Sequence, residues 1–458
     1  MTRILHVIRG LNLAGAARSL IAIAKGLRRV APYEHTLASL MPPVDDARPL
    51  ALEAGIEVLD APDPGRLRHE VEAADIVHLE WWNNPDIDAF LRSDLPPMRL
   101  LVFSHVAGDE VPFILTRELL EFADFYVAGC GHALRLPVVQ DLSPEVRATT
   151  TSTVTATFDA DRLAGLSRRP HATFNVGYIG KADFRKMHPN YVAMSARVRV
   201  PSARFIVCGD GHIDLLARQA EQLGAGDRFE FRGFVEDIRS VLEELDVYGY
   251  PLGMSPGAEL NLQEAMYAGI PPVVFSRGGI ADAVIHDETG LVVHSEAGYT
   301  EAIEHLYHHP EERERLGESA RRFARERFGG PRSAADLHKV YQSLLLRPKR
   351  PRRWLDAGEG AMPLSGAKRF AKSLGEHGAP FRAALAGTDR RSQLEAERII
   401  AASSMITLQV LSDYANACPE DLHLRRWIGL IPDAQARHAP SRAHEDGTGG
   451  GERRESQR

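Results

Sequence analysis

Glu259 and Glu264 stand five positions apart, with Asn261 and Leu262 between them, in the stretch GAELNLQEAMYAGIPPVVFSRGG (257–279). EAMYAG reads as the first turns of a helix that follows the Gly/Pro-rich loop PLGMSPGAE. A helix start presents unpaired backbone N–H groups and the positive end of its dipole, so a diphosphate suits that position. A carboxylate in the same turn cannot bind phosphate, but it can accept hydrogen bonds from ribose or sugar hydroxyls. Taken in isolation, the two glutamates read more simply as carboxylates stabilising the helix dipole. The glycine-rich approach and the GIPPVV strand that follows shift the balance toward a site.

A second stretch, VGYIGKADFRKMHPN (176–190), ends a strand at Gly180 and then crowds Lys181, Arg185 and Lys186 around a single Asp183. Ligands of open α/β sheets bind at the C-terminal ends of strands, and a diphosphate would relieve the repulsion among three cations there. A solvated basic loop is the equal alternative. Gly209 and Gly211 flank Asp210 in another strand-end turn, and LAGAAR (13–18) allows close backbone approach at Gly15. Neither is GxGxxG, so no nicotinamide site is expected. His105 closes the strand-like RLLVFSH, where polar side chains often face the cleft, although a packed or surface histidine is the simpler reading. The pairs Asp86/Asp88 and Asp159/Asp161 lack the buried strand and further acidic group of a Mg²⁺ site. Cys130, Cys208 and Cys418 are too scattered for a disulfide framework, and no Cys/His cluster has zinc spacing. No metal is therefore expected.

These groups need a scaffold, and the hydrophobic pattern supplies two. RILHVI (3–8), a glycine loop and the helix-like SLIAIAKGL open a doubly wound unit, continued by EHTLASL, ADIVHLE, RLLVFSHV and DFYVAG. FNVGYIG, ARFIVCGDG, RFEFRGFV, DVYGYP and PPVVFS form a second series. The expected organisation is α/β: a first domain over 1–165, a second over 166–331, and a helix over 332–346 that crosses back to the first. Residues 347–458 read as a basic linker (RPKRPRRW), one helix over RSQLEAERIIAASSMITLQVLSDYANA, and a polar segment disordered from about Ala439. A chain ending near Leu346 is expected to keep its fold. The 458 residues exceed what one core serves. A net charge of -7 argues against a nucleic-acid partner. MTRILHVIRGL has too short an apolar run for a secretory signal, which points to the cytoplasm and leaves peripheral membrane contact open.

The chain resembles a family 4 retaining glycosyltransferase of the GT-B fold, over residues 3–346 and most closely from Val176 to Val293. RILHVIRGLNLAGAARSL resembles the family's opening strand and glycine loop, YIGKADFRK its diphosphate loop, and ELNLQEAMYAGIPPVV its acidic donor motif. The resemblance implies two Rossmann-like domains facing a cleft. It implies a nucleoside diphosphate sugar donor, an acceptor hydroxyl in a glycan, lipid-linked or small molecule, and transfer with retention and without metal. Lys181 and Lys186 would bind the diphosphate, Glu264 the ribose, Glu259 the sugar or phosphate, and His105 would position sugar or acceptor. Gly15, Gly180, Gly209, Asn261 and Leu262 would shape the donor site. Three departures stand out: Glu259 is closer to Glu264 than in the commoner motif, the glycine loop carries Arg18 in place of an acidic residue, and Asp109 is displaced from His105. A non-catalytic scaffold of the same fold and a sugar-nucleotide epimerase are the competing expectations.

Overall fold

The computed structural model describes residues 1–354, 364–387 and 390–431; the polar segment from Ala439 lies outside them. Two all-parallel sheets organise the chain. The first holds β1 (Thr2–Gly10), β2 (Tyr33–Met41), β3 (Ile56–Asp60), β4 (Ile76–Trp81), β5 (Leu100–Ser104), β6 (Phe125–Ala128) and β7 (Thr151–Thr153), in the order β3-β2-β1-β4-β5-β6-β7. The second holds β8 (Phe174–Ile179), β9 (Ala203–Cys208), β10 (Phe229–Gly233), β11 (Val247–Tyr250), β12 (Pro272–Phe275) and β13 (Leu291–Val293), in the order β10-β9-β8-β11-β12-β13. In each sheet the strand order reverses beside its first strand, which opens the crevice where doubly wound folds bind ligands. The central strands β4 (IVHLEW) and β8 (FNVGYI) are buried at every position, as parallel strands covered on both faces must be. The sequence reading passes over β3, β7 and β13. All three lie at or beside sheet edges and are short, and β7 (TST) has no apolar residue to mark it.

The helix Gly330–Leu345 returns to the first domain. Its Ala334, Leu337, Val340, Tyr341 and Leu344 pack with Ile4, Ile76, Leu101 and Phe103 of the first sheet. A Cβ on Gly26, in the helix Gly15–Leu27, would lie 2.7 Å from the Gly330 carbonyl oxygen, so glycine lets these two helices touch backbone to backbone.

Beyond Leu346 the structure corrects the sequence reading. RPKRPRRW is a docked strap. Arg350 pairs through its backbone with Met98, Arg350 and Arg352 both bind the buried Asp124, and the buried Trp354 donates its indole N–H to Asp88 at 3.1 Å. Among the described residues five α-helices follow: Gly366–Ser373, Ala379–Ala386, Arg390–Ala401, Met405–Ala417 and Leu422–Leu430. They enclose a core of their own around Phe370, Phe381, Tyr414 and Trp427, and they dock on the first domain at Asn83, Val111 and Phe113. The stretch read as one helix over 391–417 is two, because Ser404 turns out of the helix and caps the next one through the Thr407 N–H.

Candidate functional site

The glycine loop after β1 and the basic loop after β8 both lie at the C-terminal ends of their sheets. Gly15 opens the first helix, and a Cβ there would meet nothing within 4 Å, so that side of the loop is open space. Gly180 has φ 155°, and a Cβ there would sit 3.3 Å from the Tyr250 hydroxyl and 3.6 Å from Asn261 Nδ2. Asn261 in turn donates to the Ile179 carbonyl at 3.0 Å and ties its helix to the end of β8. Gly209 has a packing reason: a Cβ there would fall 1.8 Å from the Gly180 carbonyl oxygen.

The helix of the acidic stretch runs Leu260–Tyr267, with Glu259 at its N-cap. Glu259 and not Glu264 therefore stands at the helix start, which corrects the position read from EAMYAG. The Glu259 carboxylate accepts from Lys186 at 2.7 Å and from the Tyr250 hydroxyl at 2.6 Å. Lys186 also lies 5.8 Å from the centroid of the Tyr250 ring. The structure thus brings Gly180, Lys186, Glu259 and Asn261 together. Lys181 points elsewhere: it is half exposed and pairs with Asp210 of the neighbouring turn. Arg185 is held by Asp183 and by Gln409 of the C-terminal helices. Leu262 is fully buried and, with Glu259, lines an interdomain cavity of about 50 Å³ that Cys130, Gly131 and Thr155 of the first domain also border.

Glu264 sits one turn into the helix and is 1% exposed. Its Oε1 is bound by Arg18 of the first domain and by Arg162 at 3.3 Å, while its Oε2 is buried with no hydrogen-bond partner. Burial raises the Glu264 carboxyl above its ordinary value, against the pull of Arg18. Arg18 is a residue the motif reading missed as a partner, although its position in the glycine loop marks the departure from the family pattern.

His105 follows β5 and stacks on Phe103 with ring centroids 5.0 Å apart. Its Nε2 lies 2.5 Å from Glu80 Oε2. Glu80 itself was not singled out from sequence; its signal is a lone acid inside the apolar run IVHLEW. Around it gather His6, His78 and His35, whose pKa values burial lowers to about 3, 3 and 4. Burial works to raise the Glu80 carboxyl, but His105 and His6 beside it outweigh that and hold it below its ordinary value.

The domains meet through polar contacts that sequence did not reveal. Glu110 accepts from the Ser255 N–H at 2.9 Å, and Asp109 accepts from the Ser255 hydroxyl at 3.0 Å and contacts His132 at 2.7 Å. A Cβ on Gly257 would fall 2.3 Å from the His105 carbonyl oxygen, so the two loops are in van der Waals contact across the cleft. The Asp-x-Asp pairs are taken up by cations: Asp86 by Arg9, Asp88 by Arg92 and Arg369, and Asp159 and Asp161 by Lys25. Among the described residues no helix is long and apolar enough to cross a membrane.

Residues 167–323 match the family model described as glycosyl transferases group 1. The chain is 28% identical to EpsD of Bacillus subtilis over 177 residues, which cover 38% of this chain and 46% of EpsD. It is 25% identical to a D-inositol 3-phosphate glycosyltransferase of Corynebacterium aurimucosum over 302 residues, 58% of this chain and 71% of that protein. The chain thus spans about half the length of the first of these relatives. HepE of Anabaena, solved in complex with UDP, shares the fold with a TM-score of 0.61 at 16% identity, over 75% of this chain and 100% of HepE. The fold is GT-B, and the match to group 1 lies on the second domain, where the basic loop and the acidic helix stand.

Proposed function

We propose that this chain, whose second domain matches the glycosyl transferases group 1, transfers a sugar from a nucleoside diphosphate sugar to an acceptor hydroxyl. One observation carries the reading. Lys186, Glu259 and the start of the Leu260–Tyr267 helix converge beside Gly180 at the end of β8. A cation, a helix start and bare backbone are what a diphosphate needs. The UDP that HepE binds is the nucleotide we take as the first probe.

In this reading the diphosphate displaces Glu259 from Lys186, and the freed carboxylate turns to the sugar hydroxyls. Lys181 leaves Asp210 to join Lys186. Together they stabilise the charge that grows on the leaving phosphate as the sugar–phosphate bond breaks, the kind of electrostatic stabilisation that dominates many enzymes. No metal is needed at the diphosphate. A leaving phosphate oxygen takes the acceptor proton, and attack from the same face retains the anomeric configuration. Glu264 offers its unpartnered Oε2 to the ribose, and His105, held by Glu80, positions sugar or acceptor. We place the reaction in the cytoplasm.

The test is calorimetric titration of the full chain with UDP, followed by UDP release from UDP-sugars with and without EDTA. Binding with metal-independent turnover supports the proposal. UDP binding without any turnover across sugars and acceptors favours a non-catalytic scaffold, and an epimerised sugar formed without acceptor favours an epimerase. Turnover that returns only with Mg²⁺ or Mn²⁺ overturns the metal-free diphosphate site.

A further inference from the structure

The face of the first sheet under the helices Gly15–Leu27 and Gly330–Leu345 carries a polar cluster that the proposed transfer draws on only through Glu80, as the support of His105. His6 comes from β1, and His78 and Glu80 from β4. All three are 2% exposed. His78 Nε2 lies 3.3 Å and His6 Nδ1 3.8 Å from Glu80 Oε1, and one nitrogen of each histidine and one carboxylate oxygen of Glu80 fall within 4.8 Å of one another. The two imidazole nitrogens are buried and have no hydrogen-bond partner.

We propose that His6 Nδ1, His78 Nε2 and Glu80 Oε1 bind a divalent transition metal of the Zn²⁺ class. Tetrahedral zinc with bonds of about 2.0–2.1 Å sets its ligand atoms roughly 3.3–3.4 Å apart. The His78–Glu80 spacing already meets this; His6 stands 3.8 Å from Glu80, and the widest of the three spacings, up to 4.8 Å, must close by about 1.4 Å as the ion draws His6 in. Two imidazoles and one carboxylate are a donor set for zinc and its neighbours and not for Mg²⁺ or Ca²⁺, which take oxygen.

The far side of each ligand is braced. His6 Nε2 lies 3.0 Å from His35 Nδ1, His78 Nδ1 lies 2.7 Å from the Tyr341 hydroxyl, and Glu80 Oε2 is held by His105. Bracing of this kind fixes ring orientation and tautomer in metal sites. A cavity of about 10 Å³, lined by His6, His78, Glu80, His105, Phe103 and Ser19 among others, adjoins the three atoms. That is room for about one water, the fourth ligand. The ion would also answer the negative charge that Glu80 otherwise carries into an apolar interior. It would pin β1 to β4 and, through Glu80, fix the orientation of His105. The site is separate from the diphosphate loop and does not depend on the proposed transfer.

The experiment uses the full chain with any affinity tag removed, produced with Zn²⁺ or Co²⁺ in the medium and gel-filtered in EDTA. Elemental analysis should find about one metal per chain, as expected for a buried site, and the cobalt form should show the visible absorption of a tetrahedral centre. His78→Gln and Glu80→Gln should lose both signals. His309→Gln should keep them, because it breaks only the surface His305/His309 pair, whose rings stack at 4.2 Å. Metal lost in His309→Gln and kept in His78→Gln overturns the assignment. If the core variants do not fold, the wild-type chain decides: absence of bound metal, together with no rise in melting temperature on adding Zn²⁺, overturns it as well.

Discussion

The two sheets end on different chemistry. The end of β8 carries its cations on a loop, with Lys181 half exposed and Lys186 in a pair that a ligand can exchange. The first sheet instead carries neutral histidines and a carboxylate inside, in a network over β1, β4 and the end of β5 that two helices shield. One holds its polar groups on a loop open to a ligand, and the other ties most of its polar groups to each other inside the sheet face. The difference shows which substitutions should act on binding and which on folding. Polar groups already satisfied within a core are costly to disturb, whereas a pair waiting at a loop is costly mainly to the ligand.

The sharpest way to break this comparison is at the strap. Arg352 is 5% exposed and Asp124 3%, and their ion pair ties the chain after the crossing helix to β5 and β6. Arg352→Ala leaves a buried carboxylate with only the half-exposed Arg350 as cation, and we expect a loss of about 3 kcal/mol or more in unfolding free energy. Ending the chain after Leu346 removes both arginines and also frees Asp88 from Trp354 and Arg369, so the truncated chain should not retain the fold that sequence alone suggested. Denaturant unfolding measures the first and soluble yield the second. In the second domain the pair of the exposed Arg199 with the partly buried Glu304 is the control: Arg199→Ala should change the melting temperature little. Equal effects in the two domains would dissolve the distinction.

The next effect belongs to the ligand. Lys186→Ala should weaken UDP binding by about 1.5–3 kcal/mol, the range for a hydrogen bond to a charged group, while the unligated protein melts nearly as before. Lys181→Ala should lose less, because Lys181 is half exposed and its charge is screened by solvent. Calorimetry on the two variants checks both, and unchanged affinity in both would remove the diphosphate from this loop.

How much of this was legible follows from where each residue sits in the chain. Gly180, Lys186, Glu259 and Asn261 come from two short stretches, each with its own turn or helix-start signal, so local pattern was enough to nominate them. His6, His78 and Glu80 lie on strands that are adjacent in space and separated by about seventy residues in sequence, and no spacing rule joins them. Glu264 was placed one turn too early because PGAE and EAMYAG both resemble helix starts, and only the backbone shows that the helix begins at Leu260. The strap failed for a different reason. Its Pro and Arg content is that of a linker, and its order comes from buried partners on the first domain.

A smaller effect should appear where the domains share a charge. Arg18 and Glu264 pair across the cleft, so a double-mutant cycle with Arg18→Ala and Glu264→Gln should return a coupling of about 1 kcal/mol in stability. If Glu264 also accepts ribose hydroxyls, Glu264→Gln should cost roughly tenfold in UDP affinity, and Arg18→Ala should not share that loss. Equal losses in the two single variants would make Glu264 a domain tie and place the ribose elsewhere.

The smallest effect concerns closure, and its sign carries the information. The interdomain cavity beside Glu259 and Leu262 has a volume of about 50 Å³, whereas ligand pockets run to roughly 300 Å³ or more. We therefore expect the domains to part before a nucleotide sugar enters beside Glu259. Glu110 holds the closed arrangement by accepting the Ser255 N–H. Glu110→Gln keeps an acceptor of the same shape and removes its charge, which should weaken the clamp by about 0.5–1 kcal/mol. A ligand that binds only the open state is penalised by the small open fraction, so loosening the clamp should tighten apparent UDP binding by about two- to fivefold. Weaker binding in Glu110→Gln would mean that the Glu110–Ser255 contact closes over bound nucleotide, and the contact would then belong with the ligand-directed groups of the second domain.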